Sequence, residues 1–366
     1  MGMGIIRFLL AISVVLYHVS IDRKWTGTGG EASVQAFYMI SGFYIAMVLS
    51  GPYDRAVLSF WVNRILRLYP AYFVVAIATL LLRLAFSPEL VQLFRDLPGA
   101  AKAFIVSSNI LVFGQDWALF LGVRDHALQF VTNYHNSVPE LWKLELDPPA
   151  WSLDIELTFY LIAPFLLRLR VPFLLGTMAL SILLRIILVR HGLSFDPWTY
   201  RFFPTELALF LAGAIAQKTS RSFRTTLPRL FHHGDLATAT MVAMIVIFPI
   251  VPAPTAVRSV VLFVFLAVFL PVIFENAKSN KIDRYIGDLS YVLYISHWLV
   301  ILAVRRFIGD GHSLGSKLTV VGATIVCALA LGAAVDWPLR AIRARVRNAA
   351  RRESSERAGG PVLVNP

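Results

Sequence analysis

Ten apolar runs, each about as long as a membrane helix, partition this chain before any single residue is considered. A span needs about 20 mostly apolar residues. Candidates lie at roughly 5–21, 34–50, 66–86, 151–168, 171–190, 202–217, 235–251, 257–275, 287–307 and 317–335. Only 15% of the 366 residues are charged, against about 25% in a soluble domain. The expectation is an all-α polytopic integral membrane helix bundle of about ten transmembrane helices over residues 1–338. A basic tail follows over 339–366, expected to be disordered from Ala349 onward. No internal repeat and no soluble catalytic domain are visible.

The net charge of +12 would suit nucleic acid if it were spread along a face with stacking aromatics. Instead it gathers in short loops, with Arg64 and Arg67, Arg168 and Arg170, and Lys218 to Arg229, and in the arginine-rich tail. Cytoplasmic loops carry such an excess, and anionic lipid reinforces it. The pattern therefore puts both termini in the cytoplasm and the long 87–150 segment outside. The single cysteine, Cys327, rules out an internal disulfide, and no cluster has zinc spacing. The first apolar run keeps Arg7 and His18 and lacks a small-x-small cleavage site, so it reads as a retained helix.

The 87–150 segment includes an apolar stretch from Phe104 to Phe113, short for a span and expected as a re-entrant or interfacial helix. Trp117, His126 and His135 lie around it, and their aromatic and polar side chains would suit a sugar.

Ionisable residues inside a span mark function by default. Arg7 and His18, eleven residues apart, fall about 20° apart around one helix and about 16 Å apart along it. Snorkelling for Arg7 and an interior hydrogen bond for His18 are the plainer alternatives. Arg64 and Arg67 share a face at i, i+3, a pair of forked donors suited to phosphate, or an ordinary positive-inside anchor. In Trp151-Ser152-Leu153-Asp154-Ile155-Glu156, helix capping accounts cheaply for one carboxylate. The second is left to orient His18, which the deduced topology places at similar depth. His297 sits further along the ninth span, with a functional or a structural role equally open. No GxSxG elbow, phosphate loop or HExxH occurs.

Six segments, in order, resemble the acyltransferase 3 family of bacterial membrane O-acyltransferases acting on surface glycans. They are Arg7-x10-His18, the stretch Phe37 to Ile45 around Ser41 and Gly42, and Arg64-Ile65-Leu66-Arg67-Leu68-Tyr69-Pro70. Trp151-Ser152-Leu153 follows with Glu156 and Phe159-Tyr160, then Ser290 to Trp298, and finally Asp336-Trp337-Pro338. The resemblance implies a ten-helix fold that takes an acyl group from cytoplasmic acyl-CoA and passes it to a hydroxyl outside. Arg7 and His18 would be its essential pair, and Arg64 and Arg67 the donor-side residues. Members often carry a second acidic residue after the glutamate. Here Leu157 follows and Asp154 precedes, so either Asp154 or Glu156 is the acidic partner, with Glu156 favoured by position. Many members also carry a fused SGNH domain; this sequence reads as stand-alone or served by a separate partner.

The resulting expectation is an O-acyltransferase of the bacterial inner membrane, using acetyl-CoA as donor substrate and a glycan as acceptor. No permanently bound cofactor and no metal are expected, and envelope polysaccharide assembly proteins are candidate partners. His18 and Glu156 would be catalytic, and Arg7, Arg64 and Arg67 would bind the donor. Ser41, Trp117, Trp151, Ser152, Asp154, Tyr160 and His297 would support the site. A transporter or flippase for a glycan precursor or small solute is the competing reading, although no pair of short, broken helices in matching halves is seen.

Overall fold

The structure, a computed structural model, describes residues 2–19, 22–309 and 313–357. Each of the ten apolar runs forms a helix. They are α1 (Met3–His18), α2 (Gly29–Leu49), α3 (Val57–Phe86), α6 (Trp151–Leu166), α7 (Val171–Arg190), α8 (Phe203–Thr226), α9 (Gly234–Ile247), α10 (Thr255–Ala277), α11 (Lys281–Phe307) and α12 (Leu314–Leu331). Between α3 and α6 come α4 (Pro88–Asp96), α5 (Gly99–Leu111) and a hairpin of β1 (Leu121–Arg124) and β2 (Ala127–Phe130). Among the described residues, seven helical segments are long and apolar enough to cross a membrane, built on α2, α3, α7, α9, α10, α11 and α12. Helices α1 and α6 have 16 residues each, about 24 Å.

Successive helices alternate in direction between two ends of the bundle. One end carries the 87–150 cap; the other carries the arginine-rich connections and is called here the basic end. Helix α1 is central and packs on α2, α9 and α11. Helices α2 and α8 touch backbone to backbone. A Cβ on Gly42 would stand 1.9 Å from the Phe210 carbonyl oxygen, and one on Gly213 would stand 1.8 Å from that of Met39. Small residues therefore set this approach, as they do wherever lipid cannot drive helices together.

The start of α1 is fixed by a residue from another helix. Asp283, in the first turn of α11, accepts the N–H groups of Gly2 at 2.7 Å, Gly4 at 2.8 Å and Ile5 at 3.2 Å. First-turn N–H groups have no intrahelical partner, and a carboxylate there also meets the positive end of the helix dipole. Asp283→Ala is expected to lower stability by about 2 kcal/mol, read as a reduced Tm in detergent. An unchanged Tm would remove Asp283 from this role.

The cap has its own small core of Leu97, Ala101, Ile105, Ala118, Leu141 and Leu144. The helix expected at Phe104–Phe113 is α5, which is too short to cross and turns Ala101 and Ile105 into that core. Glu145 and Asp147 are buried beneath it. Burial pushes the Glu145 carboxyl up to about 8 while Ser108 donates to it at 2.7 Å, and burial raises Asp147 as well.

Beyond α12, one turn of π-helix (Gly332–Asp336) leads into α13 (Trp337–Arg357). This corrects the expectation of a tail disordered from Ala349. The helix continues to Arg357 and packs on α3, with Ala350 fully buried and Asn63 Nδ2 donating to the Arg343 carbonyl at 3.0 Å. Arg345, Arg347, Arg351 and Arg352 lie exposed on this helix, while Arg343 turns inward. Residues 358–366 of that expected tail lie outside the described residues.

Candidate active site

Two polar groups lie inside the bundle, joined by the length of α1. Toward the basic end are Arg7, Arg64, Arg67 and Glu156, the residues singled out for charge. Glu156 Oε1 accepts the Ser41 hydroxyl at 2.5 Å and the Tyr160 hydroxyl as well. Tyr160 is held in turn by Trp61, whose Nε1 donates to its carbonyl at 3.0 Å. The Arg64 guanidinium lies 5.7 Å from the Phe60 ring centroid and 5.9 Å from that of Tyr160, and it donates to Asn63 Oδ1 at 3.1 Å. Arg67 and Arg7 lie within electrostatic reach of each other, of Glu156 and of Asp288.

Neither Arg7 nor Arg67 makes a hydrogen bond or ion pair among the described residues, and none of their nitrogens is sealed from solvent. Each guanidinium offers five donors in a fixed fork. Two half-buried forks without a hydrogen-bond partner among the described residues have the chemistry to hold an anion. Sequence spacing did not reveal what borders this chamber. Arg340 pairs with Asp288 at 2.9 Å and Arg343 with Asp336 at 2.9 Å, so α13 is tied to the basic end. Asp336 of the acidic-x-Pro element reaches them because the π-turn redirects it.

Toward the capped end stands His18, half-buried at the last turn of α1, its Nδ1 2.9 Å from the Val14 carbonyl oxygen. His297 of α11 lies beside it, with ring centroids 4.9 Å apart, and Trp298 presents an edge at 6.1 Å. The placement of His297 thus brings it to His18 from a different helix. At the same end, the Arg201 guanidinium lies 4.4 Å from the centre of the Trp151 ring, and Tyr200 packs at 4.9 Å. The charge of Arg201 reaches His18. Nothing in its sequence position marked Arg201 as more than a loop cation.

The expected contact between Glu156 and His18 is not formed. Glu156 is taken up by Ser41 and Tyr160, and its charge serves the arginine chamber. Counting residues from a helix end placed both at one depth, but the side chain of Glu156 leaves α6 toward α2 below the histidines. Asp154 is the capping carboxylate, although of a loop and not of its own helix. Its Oδ2 accepts the N–H groups of Gly114 at 2.7 Å and Asp116 at 3.1 Å, tying the cap to α6. Burial and the neighbouring Asp154 push the Asp116 carboxyl well up. Ser152 Oγ meets the Tyr294 hydroxyl at 2.7 Å, and both bond the Pro149 carbonyl at 3.0 Å, fixing the start of α6 against α11. Trp117 is 61% exposed on the cap; His126 sits at the hairpin turn, and His135 pairs with Glu140 at 3.0 Å. None of these three contacts His18 among the described residues; the rings set against the histidines are those of Tyr17, Trp298 and Tyr294.

Residues 2–336 match the family model described as an acyltransferase domain. The chain is 25% identical over 343 residues to proteins provisionally named as O-acetyltransferases in Staphylococcus aureus strains COL and MSSA476, an alignment covering 85% of this chain and 52% of each relative. It is 30% identical over 171 residues to the O-acetyltransferase OatA of Staphylococcus aureus strain NCTC 8325, covering 45% of this chain and 24% of OatA. The chain thus spans about half the length of the first of these relatives. No solved structure gives a significant match. With its motifs in order and the family model covering nearly its whole length, this chain belongs to the acyltransferase 3 family of acyltransferase enzymes.

Proposed function

We propose that this protein is an O-acyltransferase of the bacterial inner membrane, moving an acyl group from cytoplasmic acyl-CoA to a hydroxyl of an exported or surface glycan. Acetyl is the favoured group, in keeping with the names of the relatives. In this reading the basic end and both termini face the cytoplasm, as the loop arginines indicate. The observation that carries it is the unengaged pair Arg7 and Arg67 at one end of α1, with His18 about 16 Å away along the same helix.

The nucleotide phosphates of CoA meet Arg67, Arg64 and Arg7, while Glu156, held by Ser41 and Tyr160, offsets part of the arginines' charge. The pantetheine arm follows α1 and brings the thioester to His18. Because the Val14 carbonyl can only accept, His18 carries its proton on Nδ1 and presents Nε2 as the base. Nε2 removes the acceptor proton as the hydroxyl attacks the thioester carbon, and the proton then passes to the departing thiolate. Trp151, Tyr200 and Arg201 form the rim that receives the acceptor.

Mass spectrometry of surface glycans tests this in cells with the wild-type chain and in cells with no copy. An acyl-sized increment present only with the wild type is expected. Identical glycans, with expression confirmed and no CoA released from acetyl-CoA by the membranes, would favour a transporter.

A further inference from the structure

His297 has a ring nitrogen that no protein group satisfies. The residue is fully buried, its Nδ1 is engaged by the Tyr294 carbonyl, and its Nε2 is sealed from solvent without a hydrogen bond. Since a carbonyl only accepts, the neutral ring holds its proton on Nδ1 and a lone pair on Nε2. His18 is built the same way, with Nδ1 bonded one turn back to Val14. The rings are 4.9 Å apart and tilted by 47°, and His18 is the titratable group whose charge reaches His297. Two imidazoles of one tautomer, each with a lone pair and no proton on Nε2, therefore lie side by side. Nε2 of His18 is open to a ligand; that of His297 lies behind it. An unpaired buried acceptor is costly, and its lone pair is compensated when the neighbouring His18 ring becomes cationic.

We infer that His297 is a positioning residue for the acyl transfer, its buried, unpaired Nε2 stabilising at short range the positive charge that the His18 ring carries while it holds the proton of the acceptor hydroxyl. The inference rests on His18 as the base. In the step, the hydroxyl oxygen bonds to the thioester carbon and its proton moves to His18 Nε2. The carbon–sulfur bond breaks, and CoA leaves as thiolate. The proton on His18 Nε2 then passes to sulfur, so ester and thiol are the products and His18 returns neutral. A charge that forms transiently in a low-dielectric interior is stabilised by a fixed acceptor that needs no reorganisation.

Three variants separate this role from packing. His297→Phe keeps an aromatic ring in an apolar setting; His297→Asn keeps a donor toward the Tyr294 carbonyl but offers nothing at Nε2; His297→Gln reaches the Nε2 position with an acceptor. A packing role ranks Phe or Asn above Gln. The proposed role ranks Gln above both, with kcat falling about 100-fold in Phe and Asn, about tenfold in Gln, and KM for acetyl-CoA unchanged in all three. CoA release and transfer are measured on detergent-purified, monodisperse protein, the wild type first. If Phe or Gln is not recovered folded, the ratio of Asn to wild type decides. Asn within threefold of wild type, or Phe matching or exceeding Gln, overturns the role of His297 alone. A wild type that releases no CoA overturns the acyl-transfer reading beneath it.

Discussion

His18→Ala is expected to lower transfer from acetyl-CoA by about 1,000-fold while leaving CoA binding within a factor of two. General base catalysis contributes about 100- to 10,000-fold, and no other described group is placed to replace it. His297 is sealed behind it, and Glu156 is occupied by Ser41 and Tyr160. The substitution falls in the last turn of α1, about 16 Å from Arg7, so the phosphate end of the donor is untouched. The measurement pairs transfer rates with the CoA-dependent rise in Tm of the same preparation. A loss of less than tenfold with normal expression would deny His18 the role of base. Loss of the CoA-dependent shift would instead make His18 a binding residue.

The residues legible in the sequence are those whose partners lie on the same helix. Arg7 with His18 and Arg64 with Arg67 follow from helical spacing, and the ten helices from the length of the apolar runs. Contacts across helices left no comparable trace. Asp283 reads as one more loop-side charge until α1 is seen to begin on it. His297 reads as an isolated histidine until α11 is set beside α1 at its height. Glu156 and Asp154 lie two residues apart and diverge because successive helical positions turn about 100°. One faces α2 and the arginines; the other faces the loop at Gly114–Asp116. The cap was illegible for a different reason: its elements are a few residues long, and buried polar bonds such as Ser108 to Glu145 hold it together. In the tail, composition suggested disorder because few residues of α13 are fully buried and Arg345, Arg347, Arg351 and Arg352 are among its exposed ones.

Arg67→Gln should raise KM for acetyl-CoA about 50-fold and change kcat less than threefold. A charge-assisted hydrogen bond contributes about 1.5–3 kcal/mol, and each 1.4 kcal/mol is a factor of ten in affinity. Arg64→Gln should raise KM less, about tenfold, because Arg64 already donates to Asn63 and lies over the rings of Phe60 and Tyr160. The unequal pair is informative. A site that used these residues only as positive-inside anchors would show neither a KM effect nor a ranking. Arg67→Lys keeps the charge but loses the planar fork, so it should fall between wild type and Gln if the phosphates are bound bidentately. Removing Arg67 also takes a cation from beside Asp288, Glu156 and Asp336, so Tm is followed alongside. A KM rise that persists at unchanged Tm belongs to the donor. Equal KM values for Arg67→Gln and wild type would take the phosphates away from this chamber and leave its open guanidinium for another anion.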